Sequence, residues 1–256
     1  MVSSRKLSAK MQLHNTKGIV LRTVKYGETG IITTVYTELF GVQAYIVKGV
    51  RQQSKKSSGK AAYFQAAAIL ELSVYHNEQK NLQFIKEYNW AYPYQTILFD
   101  VVKNCVAMYM VEVLHHALKQ PEANPELFYF IEESLQQLDK GSLSETANLP
   151  LYFMLRLGTE LGFQIQGNYN NGTPYLDLRE GFFVVNQPEH MHYLSSELAD
   201  YTSQLNSIVF YSDLSNIKLN RITRRKLLEV YGQFLSLHIT DFGTLKTLSV
   251  LQEVLG

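Results

Sequence analysis

The hydrophobic period of this chain changes once, near Trp90, and that change decides what it can fold into. Before Trp90, β-branched and apolar residues come in short runs separated by glycine turns, the period-2 signature of strands. Residues 18–25 (GIVLRTVK), 30–39 (GIITTVYTEL) and 42–50 (VQAYIVKGV) are three such runs, punctuated by Tyr26-Gly27-Glu28 and Phe40-Gly41. Residues 66–76 and 82–88 give two more, on either side of Asn77-Glu78-Gln79-Lys80. Between the third and fourth lies a polar, basic loop, residues 52–60 (QQSKKSSGK). The Ala-rich stretch 61–68 reads equally well as a helical turn. Five short strands in so little chain predict a small closed barrel of the OB type.

After Trp90 apolar residues recur at helical spacing. Val101, Cys105, Met108, Val111, Leu114 and Leu118 predict one face of a first helix, stopped before Pro121. Asn124-Pro125 predicts an N-cap with proline in the first helical position, and Gly141 the end of that second helix. Asn148 and Pro150 are read as opening a third helix that stops at Gly162. Residues 175–178 and 182–185 flank Arg179-Glu180-Gly181 as a β-hairpin. Ser195 is read as capping a short helix, Asn220 as opening a long one through His238, and a last short helix is expected to end near Leu255. The expected fold is therefore α+β: a five-stranded OB-type barrel over residues 11–90, then a helical domain over 91–256 with a small hairpin insertion near 175–185. Residues 1–10, polar and basic without an apolar core, form an N-terminal extension rather than a secretory signal.

Charge follows the same division. The net charge of +1 conceals 13 Lys+Arg against 4 Asp+Glu in residues 1–86, and 11 against 19 in the rest. A basic domain of this kind seeks an anionic partner, of which nucleic acid is the commonest. No apolar run approaches a membrane span. The single cysteine, Cys105, forms neither an internal disulfide nor a cysteine zinc site, which points to the cytoplasm.

Two clusters of basic residues stand out as candidate sites. On the barrel, Lys17, Arg22, Lys25, Lys48, Arg51, Lys55, Lys56 and Lys60 are interleaved with Tyr26 and Tyr45. Cations neutralise phosphates while flat rings stack on bases, so a strand of nucleic acid needs both. Tyr45 facing the core, with the loop merely solvated, is the plainer alternative. At the start of the last long helix, Arg221, Arg224, Arg225 and Lys226 add cations to the positive end of a helix dipole. That arrangement suits an anionic partner group; a solvated face is the plainer reading.

Catalytic chemistry is not evident. Residues 49–57 (GVRQQSKKS) miss a phosphate-binding loop at Ser54. His115-His116 lack an HExxH frame, and His190 and His192 lack a third ligand. No cofactor and no metal is expected, and no enzymatic activity.

Residues 15–51, NTKGIVLRTVKYGETGIITTVYTELFGVQAYIVKGVR, resemble the opening of the RecO family. That family shows a KGIVL-like strand, a Y-G-E turn, a T-x-x-x-G turn and a KG-x-R close. Ser54-Lys55-Lys56-Ser57, Leu70-Glu71-Leu72 and residues 82–87 are also similar, as are residues 155–163 (LRLGTELGF) and 224–239 (RRKLLEVYGQFLSLHI). Many members carry zinc-binding Cys-x-x-Cys pairs after the L-G-F segment. Here that region holds no cysteine, so the resemblance is to a form without zinc. It implies a non-enzymatic mediator of DNA repair and recombination. Such a protein binds single- and double-stranded DNA, anneals complementary strands, and works with RecR, the acidic tail of single-stranded-DNA-binding protein and, indirectly, RecA. An RNA-binding OB accessory protein is the alternative, and an enzyme whose site assembles from scattered residues is a third.

Overall fold

The structure is a computed structural model, and it describes residues 12–51 and 59–255. The first strand, β1 (Gln12–Tyr26), is followed by β2 (Gly30–Thr37), β3 (Gly41–Val47), a one-turn 3-10 helix (Lys60–Phe64), β4 (Ile69–His76) and β5 (Leu82–Tyr92). They close into a barrel in the order β1-β2-β3-β5-β4. All pairings are antiparallel except β3 with β5. β1 runs longer than the sequence predicts because it serves two neighbours. Its first half pairs with β4 and its second with β2, and a bulge between Val20 and Arg22 turns it from one to the other. Alternation sends Val20, Ile31, Val35, Tyr45, Val47, Leu70, Leu72 and Val74 inward to one core. The Ala-rich stretch forms the 3-10 turn and places Phe64 on that core.

The chain divides into two compact units. The first runs to Pro93 and takes in Gln120–Phe128; the second holds the remainder. The segment Gln120–Phe128 therefore goes with the barrel, although it lies inside the helical stretch of the sequence. Tyr36 donates from its hydroxyl to the carbonyl of Asn124 at 3.2 Å and packs its ring 5.9 Å from that of Phe128. Gly41, with φ +60, approaches the same segment so closely that a side-chain carbon would lie 2.2 Å from the Glu122 carbonyl oxygen. Only glycine fits there.

The second unit contains α1 (Val101–Ala117), most of α2 (Pro125–Lys140), α3 (Leu143–Glu160), a small sheet of β6 (Tyr175–Asp177), β7 (Phe182–Val184) and β8 (Tyr193–Ser195), α4 (Ser196–Asn206), a second 3-10 segment (Tyr211–Asn216), α5 (Arg221–His238) and α6 (Leu248–Val254). Three readings of the sequence need correction. The face of α1 is only partly the predicted one: Val111 and Leu114 are buried as expected, but Val101 is 71% exposed and Met108 39%, and Val106, Tyr109, Met110 and Val113 are buried as well. Apolar residues surround most of that helix, so no single stripe defines its inner side. The third helix opens at Leu143, ahead of Asn148, because Ser142 and Glu145 form a capping box. Pro150 consequently sits inside the helix, among buried Leu149, Leu151 and Tyr152. Finally, the predicted hairpin is a three-stranded sheet, since β8 adds to the other edge of β6.

Two carboxylates fasten this unit. Asp139, near the end of α2, accepts backbone N–H bonds from Gln95, Thr96 and Ile97 at 2.8–3.0 Å. Burial pushes its pKa up, but these bonds and the Thr96 hydroxyl outweigh burial and hold it below the usual aspartate range. Glu112 on α1 does the same at the start of α6, accepting from Lys246 N, Thr247 N and the Thr247 hydroxyl.

Candidate nucleic-acid interface

Strand alternation gives the barrel an outer surface as well as a core, and the register of four strands lines its side chains up in rows. Val24 opposes Ile32, Ile32 opposes Ile46, and Ile46 opposes Phe84, which makes one row across β1, β2, β3 and β5. Arg22, Thr34, Ala44 and Leu82 form the row on one side of it. On the other side lie Tyr26, Gly30 and, just past the end of β3, Lys48. The Lys48 ammonium sits 6.0 Å from the centre of the Phe84 ring, within cation–π reach. At Gly30 a side-chain carbon would stand 2.9 Å from the Tyr26 carbonyl oxygen and 3.3 Å from that of Val47, so glycine lets the backbones of β1, β2 and β3 come close there. Val24 is 41% and Tyr26 51% exposed; Ile32, Ile46 and Phe84 are half-buried. On the closed barrel these rows run round three of its five strand-to-strand steps, as an apolar, partly aromatic band with cations at its margin.

The sequence-predicted residues distribute unevenly around it. Arg22, Tyr26 and Lys48 belong to the face. Lys25, opposite Ile31, points to the other side of the sheet but is exposed at the same end of the strand. Arg51 is half-buried and holds the β1–β2 turn, donating to the Gly27 carbonyl at 3.3 Å from its side chain and to Thr29 at 3.0 Å from its backbone. Lys60 opens the 3-10 helix and is exposed; Phe64, at the end of that helix, accepts from Thr23 of β1 at 2.8 Å. Lys55 and Lys56 lie outside the described residues. Tyr45 is fully buried in the barrel, so it offers no face to a base, and burial pushes its phenol up. Glu28, exposed in the turn after Tyr26, is an acidic residue at this end.

Lys17 lies elsewhere. It opposes Glu71 on β4, and Asn15, Glu38, Glu71, Ser73, Glu87 and Asn89 share with it an open groove of about 730 Å³. The barrel thus carries an acidic sector on one stretch of its outer surface and a basic, apolar sector on another.

The cluster at the start of α5 is also divided by the fold. Arg221 and Arg225 are exposed, and Lys226 is 4.0 Å from Glu229. Arg224 is half-buried: it donates to the Leu219 carbonyl at 3.1 Å and approaches the Asn148 side-chain oxygen at 3.4 Å. Burial pulls its guanidinium pKa down. Asn148 in turn donates to the carbonyls of Leu214 and Ile217. Asn220 caps the helix through Thr223 N. Elsewhere in this unit, Tyr129, Phe130, Tyr152, Phe210 and Tyr211 line a groove of about 560 Å³ that also holds Arg156. His190 is tied to Asp177 at 3.1 Å through Nε2 and accepts the His192 backbone N–H through Nδ1. Among the described residues no group of three or more His, Cys, Asp or Glu is placed to hold a metal, and no helix is long and apolar enough to cross a membrane.

A closed OB-type barrel with a cation-edged apolar band, ahead of a helical unit in sequence, is an architecture found among oligonucleotide- and oligosaccharide-binding proteins. Comparison with known proteins narrows it. Residues 11–94 match the family described as recombination protein O N terminal, and residues 98–248 match recombination protein O C terminal. A protein of Phocaeicola vulgatus called DNA repair protein RecO is 32% identical over 94% of this chain and 99% of its own length. Proteins of the same name from Flavobacterium psychrophilum (32%, covering 93% of this chain and 98% of their own) and Bacteroides fragilis (31%, 94% and 99%) agree. The chain belongs to the RecO family of DNA repair proteins.

Proposed function

We propose that the protein binds single- and double-stranded DNA through the barrel, anneals complementary strands, and helps load the recombinase on DNA coated by single-stranded-DNA-binding protein. The carrying observation is the outer face built from Arg22, Val24, Tyr26, Ile32, Ile46, Lys48 and Phe84. Phosphate neutralisation by Arg22, Lys25 and Lys48, supplemented by Arg51 beside the β1–β2 turn and by exposed Lys60, supplies sequence-independent affinity. This is binding work and calls for no catalytic group, cofactor or metal. Its setting is the bacterial cytoplasm, with a RecR-like mediator as partner and RecA engaged indirectly.

The acidic tail of single-stranded-DNA-binding protein has two basic places to go. Arg221 and Arg225 are exposed and can meet an anion, but Lys226 pairs with Glu229 and Arg224 is committed to Leu219 and Asn148. The aromatic groove around Arg156 offers an apolar seat for a tail that mixes acidic and apolar residues, though Arg156 pairs with Glu160 and Glu133 lines the same groove. Titration of labelled single-stranded DNA, duplex DNA and RNA against the protein over a range of salt tests the main reading. DNA binding that weakens steeply with salt is expected. Stronger binding of RNA than of DNA in direct competition would favour an RNA-binding accessory role instead.

A further inference from the structure

The turn that leads into β6 carries chemistry that DNA binding does not use. Residues 168–174 read Asn-Tyr-Asn-Asn-Gly-Thr-Pro, and Asn171-Gly172 is the one Asn-Gly pair of the chain, which holds no Asp-Gly. An asparagine followed by glycine is open to attack on its own side-chain carbonyl carbon by the next backbone nitrogen, because glycine has no Cβ to keep the two apart. Both residues are exposed. They form the tip of a turn closed by a bridge between Asn170 and Thr173. Inside the turn, the Asn170 side-chain oxygen accepts from the backbone N–H of Gly172 at 2.8 Å and from that of Thr173 at 3.1 Å. The nitrogen that would attack is the one that Asn170 holds. Loss of its proton breaks the shorter of these bonds and leaves a negative nitrogen facing an oxygen lone pair.

We propose that Asn171 is a site of spontaneous succinimide formation and conversion to isoaspartate, and that the Asn170 side chain sets its rate. The Gly172 nitrogen gives up its proton to solvent base and bonds to Cγ of Asn171. The Cγ–Nδ2 bond breaks, and Nδ2 leaves as ammonia with a proton returned by solvent. Water then opens the ring. Cleavage at the main-chain carbonyl gives isoaspartate, cleavage at Cγ gives aspartate, and no oxidant or reductant takes part. Isoaspartate routes the backbone through Cβ, which lengthens it by one carbon, and it adds a carboxylate. The turn is tied on both sides of that extra carbon. Tyr169 N–H donates to Ser203 Oγ of α4 at 3.1 Å, the Thr173 hydroxyl donates to the Asn168 carbonyl at 2.8 Å, and Thr173 N–H donates to the Asn170 carbonyl at 3.1 Å. Tyr175, two residues on, is already in register with both Val184 and Ser195. Modification at Asn171 therefore strains the link between the small sheet and α4.

The test holds the full chain at mildly alkaline pH and follows isoaspartate at residue 171 by peptide mapping with mass spectrometry. A synthetic peptide of residues 166–177 serves as the unfolded reference. The wild type is expected to convert more slowly than the peptide. Asn170→Ala is expected to convert about fivefold faster than the wild type, the factor that one hydrogen bond of ordinary strength imposes on a rate. Asn170→Asp keeps an accepting oxygen and is expected to convert no faster than the wild type. A wild type as fast as the peptide, an Asn170→Ala as slow as the wild type, or an Asn170→Asp as fast as Asn170→Ala overturns the role of Asn170. Absence of product in every form of the protein, while the peptide converts, overturns the site itself. Thermal unfolding of both variants, expected to match the wild type, separates release of one amide from loss of fold. If Asn170→Ala unfolds early, the wild type against the peptide and against Asn170→Asp still decides.

Discussion

The two basic clusters of this chain look alike in sequence and are used in opposite ways. On the barrel, Arg22 and Lys48 belong to an outer band that also carries Tyr26 and Phe84. At the start of α5, Arg224 turns inward to Leu219 and Asn148, while Arg221 and Arg225 stay in water. The difference is one of period. A strand returns to the same face every second residue, so cations and rings interleaved along it converge, and neighbouring strands extend the face sideways. A helix advances 100° per residue, so basic residues at 221, 224, 225 and 226 spread around its circumference and one of them meets the protein. Charge on a strand is therefore a better guide to a binding surface than the same charge on a short run of helix.

The sharpest break in that comparison comes from charges spent on the fold. Asp139→Asn is expected to have the largest effect on stability, about 2–3 kcal/mol, because an amide replaces one of the two accepting oxygens with an NH2 that faces a donor, Gln95 N at best, and removes the charge that strengthens the bonds from Thr96 and Ile97. The aspartate pKa is depressed in the folded state, so its contribution is fully present above the ordinary value of about 3.9 and is lost as pH falls through the folded value. Wild type should lose stability on acidification more steeply than Asp139→Asn, as measured by denaturant titration at pH 7 and at descending pH. Parallel curves would mean that the carboxylate does not supply the clamp.

Arg224→Glu comes next. A carboxylate there would face the carbonyl of Leu219 and the side-chain oxygen of Asn148 in a half-buried setting. A loss of about 1–3 kcal/mol is expected, whereas Arg225→Glu, at an exposed position one residue on, should change stability by no more than about 0.5 kcal/mol. Equal effects of the two substitutions in urea unfolding would erase the distinction between inward and outward members of the cluster. The sequence alone points the other way for Arg224, since negative charge suits a helix start; the contacts with Leu219 and Asn148 reverse that expectation.

How much was legible beforehand follows the same physics. The five strands, their order along the chain, the cap at Asn124 and the cap at Asn220 could all be read from local signals, because glycine turns and capping residues act within a few positions. Phe84 could not be picked out. Its place on the face depends on the parallel pairing of β3 with β5, which joins strands far apart in sequence. Tyr45 and Tyr26 differ in sequence only by parity along their strands, yet one is core and the other surface. The bulge in β1 shifts that parity midway, and no residue type announces it. Pro150 misled the reading of α3 because a proline usually marks a helix start, while the capping box at Ser142 and Glu145 set the true one.

Lys17 provides the smallest and most discriminating prediction. By composition it belongs with Arg22 and Lys48, and all three stand on or beside the first three strands. By position it belongs to another sector, opposite Glu71 and in a groove with Glu38 and Glu87. A phosphate approaching Lys17 meets those carboxylates within the same groove, and at physiological salt charges interact over about 8 Å, so their repulsion is not screened away. A phosphate approaching Lys48 meets the Phe84 ring and no groove of carboxylates like the one around Lys17. Lys48→Ala should therefore lower the slope of log affinity against log salt by about 0.7 for a single strand. Lys17→Ala should leave both slope and affinity unchanged within error. A slope that falls equally for the two variants would mean that the nucleic acid wraps across both sectors of the barrel. The acidic groove would then be part of its path rather than its boundary.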